Sequence, residues 1–228
     1  TEEYRQNLER SVQRQRELTE TQLRMLQAQI NPHFLYNTLD CMKWLGVANH
    51  VPQIADMSTD LAALLRAGIS GSELIPLEDE LELVRQYLNI QEIRFEDRFV
   101  CEIDVDERYQ HCIVPKMVLQ PLVENAIIHG VADLEEGYIK LWAEEDGGDL
   151  LLRVSDNGRG IAPEVLDRLA RHEDIPGGHL GLNNVDRIIR LYYGEGYGLT
   201  AESGDTGSRV TLRLPMMKGD SHAKGTDR

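Results

Sequence analysis

Cysteine is scarce in this sequence and does not form the pattern of a metal site. The 228-residue chain holds three cysteines, Cys41, Cys101 and Cys112, which are odd in number and include no close pair. A structural zinc site needs closely spaced Cys or His ligands, and a disulfide framework needs an even set. We therefore predict reduced, mostly buried thiols in a cytosolic protein.

Long hydrophobic runs and an excess of positive charge are also missing. No apolar stretch approaches the roughly 18 to 20 residues that cross a bilayer, and no signal peptide is present. The formal net charge is −15, whereas a general nucleic-acid surface needs clustered Lys and Arg. No direct nucleic-acid partner is predicted. The chain starts at Thr1 inside a polar helical pattern, so we expect a fragment of a longer protein.

The first 97 residues have the composition of a helical region. Residues 1–30 contain neither Gly nor Pro and are rich in good helix formers, with Leu8, Val12 and Leu26 near heptad spacing. This weak coiled-coil pattern suits dimerisation. Two further helices are predicted, one over residues 51–67 and one from about residue 76 to residue 94.

The pattern changes at Phe99, where apolar and polar residues begin to alternate as in a half-buried strand. A helix is predicted from about Met117 to His129. Strands are predicted at 138–143, 150–155, 199–202 and 209–214, with a helix at 182–193. The predicted fold class is α+β: a helical region at 1–97, a two-layer α/β sandwich at 98–216, and a disordered tail at 217–228.

The segment Asp156-Asn157-Gly158-Arg159-Gly160 directly follows a predicted strand. A carboxylate at a strand end can accept a hydrogen bond from an exocyclic amine such as that of adenine, and Gly158 and Gly160 permit close backbone approach. The same Asp-Asn-Gly run is also a common turn. Both interpretations stay open on this segment alone.

Two further glycine-containing segments follow. Gly178-His179-Leu180-Gly181 precedes the helix predicted at Leu182, where backbone amides and the positive helix end can receive phosphates. The intervening residues 161–177 could form a lid over a nucleotide. The last segment, residues 204–208, ends in Gly207 and Ser208 and is equally compatible with a simple hairpin turn.

The predicted helix before these segments carries Glu124, Asn125 and His129. An Asn amide oxygen suits a hard cation such as Mg2+, whose other ligands can be water and phosphate oxygens. Glu124 could accept a proton. The alternative is an ordinary capped or solvated polar face of a helix.

A single imidazole, His33, stands out in the helical half, within the run from Ile30 to Leu39. A neutral imidazole near its usual pKa of about 6.5 offers a nitrogen lone pair at neutral pH. Such a nitrogen can attack the γ-phosphoryl group of ATP in line. The residue that follows is Phe34, so a base, if one is needed, must come from elsewhere.

Together, the order and spacing of these motifs resemble the N, G1 and G2 boxes and terminal glycine segment of the ATP-binding fold shared by histidine kinases, gyrase, Hsp90 and MutL. Residues 26–40, with the sequence LQAQINPHFLYNTLD, and residues 85–98, with the sequence RQYLNIQEIRFEDR, closely resemble the LytS/YesM-like class of bacterial two-component sensor histidine kinases. The resemblance covers roughly residues 20–215.

The resemblance implies an ATP-dependent protein-histidine kinase core. It implies that His33 is the phosphoacceptor, that Asn125 is the Mg2+ ligand, that Asp156 contacts adenine, and that Glu124 orients or deprotonates His33. The residues implied to cradle ATP, besides Asn125 and Asp156, are Gly158, Gly160, Gly178, Gly181, Leu182, Gly207 and Ser208.

The same resemblance implies partners and a cellular setting. The phosphoryl group would pass to an aspartate in the receiver domain of a response regulator, and the kinase would act as a homodimer. The parent would be a sensor of the inner or plasma membrane, with its spanning segment upstream of Thr1 and this chain in the cytoplasm.

Two positions depart from the family pattern. His179 stands where many relatives have the first glycine of the G2 box, and Ile128 stands where many carry a basic residue. Both changes affect expected phosphate contacts. They leave open an alternative in which the chain binds nucleotide as a catalytically inactive signalling regulator.

Overall fold

The computed structural model describes residues 32–69, 71–96, 98–173, 175, 180–204 and 206–217. The helix predicted for residues 1–30 lies outside these ranges, as do Gly178, His179 and all but the first residue of the predicted tail. Among the helices described, none has the length and apolar composition that crossing a membrane requires.

Three helices form the first part of the described chain, and two of them, over residues 52–69 and 77–94, confirm the helices predicted there. The elements in chain order are α1 (Pro32–Ala48), α2 (Pro52–Ile69), β1 (Leu74–Pro76) and α3 (Leu77–Arg94). Helix α2 packs against both α1 and α3. The turn between α1 and α2 is tight, because a Cβ on Gly46 would lie 2.9 Å from the backbone nitrogen of Ala55.

The second part alternates strands with helices. Its elements in chain order are β2 (Phe99–Asp104), α4 (Glu107–Gln110), β3 (Ile113–Pro115), α5 (Gln120–Asn125), a π-helix (Ala126–Val131), β4 (Gly137–Asp146), β5 (Asp149–Asp156), α6 (Pro163–Ala170), α7 (Leu180–Tyr193), β6 (Gly198–Gly204) and β7 (Gly207–Pro215). Five strands form one mixed sheet in the order β2-β4-β5-β7-β6. Strand β2 is parallel to β4, and the other neighbours are antiparallel.

The helices cover one face of this sheet. The π-helix contacts β4, β5 and β7, while α7 contacts β6 and β7. Leu141, Leu152 and Leu212 are fully buried beneath them. The alternate residues include charged side chains: Lys140 of β4 contacts Glu102 at 2.9 Å, and Arg153 of β5 pairs across the strands with Trp142. The α+β fold with a two-layer sandwich is therefore confirmed.

Backbone hydrogen bonds join the two parts along one seam. Strand β1 is antiparallel to β3, with Leu74 opposite Pro115. The amide of Leu77 donates to the carbonyl of Cys112 at 2.8 Å. The amide of Ile113 donates to the carbonyl of Met217 at 2.7 Å. Met217, the last described residue, therefore lies beside Ile113, the first residue of β3.

The helix predicted from Met117 to His129 is wrong at both ends. Met117 has a φ of 62°, in the left-handed region that a right-handed helix does not use. Helix α5 begins only at Gln120, and from Ala126 the chain continues as a π-helix. The cause of the late start is tertiary, because the Glu80 side chain binds the amides of Met117 and Leu119.

Four short elements were not predicted: β1, α4, β3 and α6. They span three to eight residues, which is too short for periodicity to register. Helix α6 lies inside the predicted lid segment. The hairpin interpretation of residues 204–208 is confirmed, with Gly204 opposite Gly207. Of the three thiols only Cys112 is buried, so the prediction of mostly buried cysteines is wrong for the exposed Cys41.

Candidate functional site

The Asp156 carboxylate is held at the end of β5 by two donors. It is 8% exposed. Its Oδ1 accepts the amide of Gly158 at 2.8 Å, and its Oδ2 accepts the hydroxyl of Ser208 at 2.5 Å. Ser208 lies directly opposite Asp156 in the β5–β7 ladder. The turn interpretation of the Asp-Asn-Gly segment is thus confirmed, and the same turn fixes the carboxylate.

Three glycines allow the backbone to pack closely around this carboxylate. A Cβ on Gly158 would overlap the carbonyl of Gly130 at the end of the π-helix. A Cβ on Gly130 would lie 2.7 Å from the Cγ of Asp156. Gly207 has a φ of 113°, and a side chain there would overlap the carbonyl of Asp156. The Asp156 loop, the π-helix and β7 therefore meet without intervening side chains.

Helix α5 and the π-helix place the next group of predicted residues. Asn125, the last residue of α5, is buried, whereas Glu124 before it is exposed. His129 lies on the π-helix, and its carbonyl accepts the Nε–H of Arg159 at 2.9 Å. Burial and the nearby charge of Arg159 lower the pKa of His129 below 6.5. At neutral pH the imidazole is therefore uncharged.

A cavity of about 400 Å³ opens between these elements. Of the predicted site residues it brings together Asn125 from α5, Gly160 from the loop after β5, and Ser208 from β7. Its lining residues are Asn125, His129, Gly130, Arg159, Gly160, Ile161, Ala162, Pro163, Val165 and Ser208. The stretch from Arg159 to Val165 supplies much of one wall. The part of this wall from Ile161 to Val165 belongs to the segment 161–177 that was predicted as a lid over a nucleotide, although none of these residues was named as a site residue.

Gly181 and Leu182 occupy a different place, at the start of α7. A Cβ on Gly181 would lie 3.0 Å from the Cβ of Pro121, so the absence of a side chain lets α7 approach the first turn of α5. Leu182 is 2% exposed and belongs to the hydrophobic core. Neither residue lines the cavity. Their predicted contribution to nucleotide binding stays a prediction that rests on backbone amides.

His33 lies apart from this cavity, on the exposed surface of α1. Its Nδ1 is 3.1 Å from the amide nitrogen of Asn37, one helical turn further on. Because an amide nitrogen only donates, Nδ1 accepts in this arrangement and the ring proton is assigned to Nε2. The structure does not bring His33 into the cavity that holds Asn125 and Ser208.

A second cavity, of about 590 Å³, lies between α6 and α7. None of the predicted site residues lines it. One wall is Asp186, which is 6% exposed. Its Oδ1 accepts the amide of Leu199 at 2.8 Å, and its Oδ2 lies 2.9 Å from the Nδ1 of His172. This carboxylate ties the end of α6 and the start of β6 to α7.

Comparison with known families identifies both parts of the chain. Residues 113–218 match the family described as histidine kinase-, DNA gyrase B-, and HSP90-like ATPase. Residues 21–99 match the family described as histidine kinase. The cavity between α5, the loop after β5, and β7 thus lies within an ATPase domain of that class, and His33 lies within the histidine kinase segment.

Full-length relatives narrow this class further. The chain is 38% identical to the sensor histidine kinase YesM of Bacillus subtilis over 211 residues, covering 91% of this chain and 36% of YesM. It is 30% identical to the sensor protein LytS of the same organism over 220 residues, covering 92% of this chain and 37% of LytS. The chain belongs to the sensor histidine kinases, in the class that includes YesM and LytS. It spans about a third of the length of these relatives.

Solved structures agree with the fold. The catalytic domain of the histidine kinase ThkA aligns with a TM-score of 0.51 at 20% identity, covering 63% of this chain and 94% of that one. Full-length ShkA in complex with AMPPNP aligns with a TM-score of 0.51 at 21% identity, covering 88% of this chain and 47% of ShkA. At these identities the likeness concerns the fold alone.

The close packing at Gly158 gives a testable expectation. We expect Gly158→Ala to lower the free energy of unfolding by about 1–3 kcal/mol, the usual cost of forcing atoms into a packed site. The added methyl group must push the π-helix away from the Asp156 loop, since it meets backbone atoms rather than a flexible side chain. Denaturant unfolding followed by circular dichroism measures the change.

Gly196→Ala is the matched control for this substitution. Gly196 lies in the loop after α7, and a Cβ there meets no atom within 4 Å. We expect its unfolding midpoint to stay close to that of the wild type. Equal unfolding midpoints for Gly158→Ala and Gly196→Ala would show that the close approach of Gly158 to Gly130 is not required for stability.

Proposed function

We propose that this chain is the kinase core of a sensor protein: it transfers the γ-phosphoryl group of ATP to His33 and then to an aspartate of a response regulator. The observation that carries the proposal is the cavity at which Asn125, Gly160 and Ser208 meet beside the fixed Asp156 carboxylate. Family membership assigns that cavity to an ATPase domain. His33, exposed on α1, is the acceptor.

The geometry around Asp156 supports a role in adenine recognition. A carboxylate has about four lone-pair positions, and the bonds from Gly158 and Ser208 occupy two of them. A free position can accept a hydrogen bond from the exocyclic amine of adenine. Gly158, whose missing side chain lets the Asp156 loop pack on Gly130, and Gly160, which lines the cavity, are assigned to the base. The amides from Gly178 to Leu182, around the start of α7, and those at Gly207 and Ser208 are assigned to the rest of the nucleotide.

Asn125 is the residue assigned to Mg2+. Its amide is buried at the cavity wall, and an amide oxygen is a suitable hard ligand. Among the described residues no cluster of three acidic, His or Cys side chains could hold a metal ion alone. This donor set fits an ion whose other ligands are water and phosphate oxygens, and bound Mg2+ would neutralise the charge that develops on the transferred phosphoryl group.

The hydrogen bond of the His33 ring is the reason to propose a base. When Nδ1 accepts from Asn37, Nε2 carries the ring proton, and a base that removes this proton frees the Nε2 lone pair for attack. Glu124, exposed on α5 next to Asn125, is the proposed base. The His33 ring bonds to Asn37 and lies outside the cavity. Transfer therefore requires the helical region to approach an ATPase domain, either that of the same chain or that of a second copy.

The surface of the helical region supports the proposal of a homodimer. Helices α1 and α2 expose several large apolar side chains, which a monomer would leave in water. They are Phe34, Met42, Trp44, Leu45, Val47, Ile54 and Leu61. We propose that residues 1–97 form the dimerisation and phosphoacceptor unit and 98–216 the ATP-binding unit, with 217–228 as a disordered tail.

The parent protein is proposed to be a membrane sensor, with this chain as its cytoplasmic portion. YesM is named a sensor histidine kinase and LytS a sensor protein, and both are about three times as long as the stretch they share with this chain. A signal from upstream would alter how the helical region and the ATPase domain meet. The receiver domain of a response regulator is the proposed acceptor of the phosphoryl group from His33.

A second candidate function is a nucleotide-binding regulator without kinase activity. The observation in its favour is His179, which replaces a glycine of the expected phosphate-binding segment. Nucleotide binding is common to both candidates, so only phosphoryl transfer separates them.

The central test is incubation with γ-labelled Mg-ATP. We expect acid-labile, alkali-stable label on the wild type and none on His33→Gln, because glutamine keeps polarity but has no nucleophilic ring nitrogen. His111→Gln is the matched control, since His111 is also an exposed histidine and lies outside the cavity. Label on His33→Gln would move the acceptor elsewhere. No label on any variant, with nucleotide binding intact, would favour the inactive regulator.

Adenine recognition by Asp156 is tested with Asp156→Asn. We expect the affinity for a non-hydrolysable ATP analogue to fall roughly 10- to 100-fold, the usual effect of losing a hydrogen bond to a charged group. Titration calorimetry measures the change, and Asp167→Asn on the exposed surface of α6 is the control. An unchanged dissociation constant in a folded Asp156→Asn protein would contradict the assignment.

The role of Glu124 is tested at saturating ATP. We expect Glu124→Gln to lower the rate of autophosphorylation by about 100-fold or more, as removal of a general base usually does, with little change in KM for ATP. Glu145→Gln, near the exposed end of β4, should keep the wild-type rate. Undiminished autophosphorylation of Glu124→Gln would remove Glu124 from the mechanism.

A further inference from the structure

Glu80 is a fully buried carboxylate with no part in the nucleotide site. It lies in the first turn of α3 and is 0% exposed. Its Oε2 accepts the amide of Met117 at 2.7 Å, and its Oε1 accepts the amide of Leu119 at 2.8 Å. Burial raises the pKa of Glu80, while these amides and the charge of Lys116 act in the opposite direction. Both oxygens are therefore committed to one backbone loop.

This loop has a conformation that its own residues do not favour. Met117 has a φ of 62°, in the left-handed region where a side chain is disfavoured. The loop from Lys116 to Leu119 contains no glycine to relieve it. Such conformations persist where surrounding structure imposes them, and the bond from the Met117 amide to Glu80 is such a constraint.

The same carboxylate caps helix α5. Leu119 is the residue before α5, and it makes no side-chain capping bond. In a capping box, a carboxylate at the third helical position accepts the amide of the capping residue. Here Glu80 accepts that amide from a different helix. The start of α5, and hence its direction, is fixed by α3.

Packing of the helices supports the same alignment. Helix α3 contacts α5. Tyr87, two turns after Glu80 on α3, is buried, and burial together with the charge of Glu124 raises the pKa of its phenol. Helix α3 also packs on α2, and α2 packs on the helix that carries His33.

From this geometry we propose that Glu80 is a positioning residue for phosphoryl transfer. It fixes the direction in which α5 presents Glu124 and Asn125, and it makes that direction dependent on the helical region. This inference rests on the proposed kinase function. Glu80 does not touch the reacting atoms; it acts through the loop from Met117 to Leu119.

The role of the Glu80 carboxylate can be tested by replacing one of its oxygens with an NH2 group. Glu80→Gln keeps the size of the side chain and one oxygen, but its NH2 group faces one of the two amides, and that bond is lost. We expect the kcat of autophosphorylation to fall about 10- to 100-fold, as small misplacements of catalytic groups do. The KM for Mg-ATP should stay within about threefold, because Asp156 is held by other elements.

Glu82→Gln is the control, because Glu82 lies on the same helix with its side chain 59% exposed. It should keep the wild-type kcat. The double variant Glu80→Gln with Met117→Gly should recover part of the lost rate, because glycine adopts a positive φ without strain. Full activity of a folded Glu80→Gln protein, even with a lower melting temperature, would overturn the inference and leave a purely structural role.

Hydrogen exchange at the amides of residues 117–125 provides a readout that needs no reaction. We expect these amides to exchange faster in Glu80→Gln than in Glu82→Gln, and to regain protection when Met117→Gly is added. Equal exchange in all variants would overturn the positioning role. A wild-type protein that takes up no label would instead refute the proposed function, and the exchange result would still decide how α5 is held. If Glu80→Gln alone does not fold, the double variant is compared with Met117→Gly in the same two measurements.

Discussion

The hydrogen bonds of the Asp156 carboxylate are the constraint on which the candidate site depends. The carboxylate closes its own turn through Gly158 and reaches the neighbouring strand through Ser208. The register of β5 and β7 places Asp156 opposite Ser208, and this lets the π-helix pack against the loop at Gly130. If the two strands slipped by one residue, the hydroxyl would point to the other face of the sheet. The cavity therefore depends on the register of β5 and β7 as well as on the motif from Asp156 to Gly160.

Buried carboxylates serve the same purpose elsewhere in the molecule. Asp156 joins a turn to a strand, Glu80 joins a helix to a loop, and Asp186 joins α7 to the start of β6. Each is less than 9% exposed, and each accepts at least one backbone amide. A buried charge is tolerated only where donors satisfy it. The acidic composition that excluded a nucleic-acid surface therefore also includes a few carboxylates that hold the fold together.

Sequence analysis predicted the long elements and the order of the motifs but not how short segments meet. Alternation located β2, and strand-like apolar runs located β4 and β5, each to within a few residues. Glu80 stands beside Glu78 and Asp79 in an acidic run at a helix start, and sequence alone does not show that only Glu80 is buried. The left-handed φ of Met117 accompanies the hydrogen bond from its amide to Glu80, so no local sequence pattern predicts it. The π-helix likewise depends on packing against the Asp156 loop, and its residues read as an ordinary helix.

The seam between Ile113 and Met217 has a consequence for the way such proteins are assembled. The stretch from β3 to β7, which contains every residue that lines the cavity, begins and ends beside this single backbone hydrogen bond. A unit whose two ends meet can be joined to other proteins without disturbing its interior. Recombination at this seam would exchange one input region for another and keep the register of β5 and β7 with Asp156 and Asp186, but the new region would have to supply an equivalent of β2 and of Glu80. The architecture thus lets the same chemical unit be inherited under many different controls.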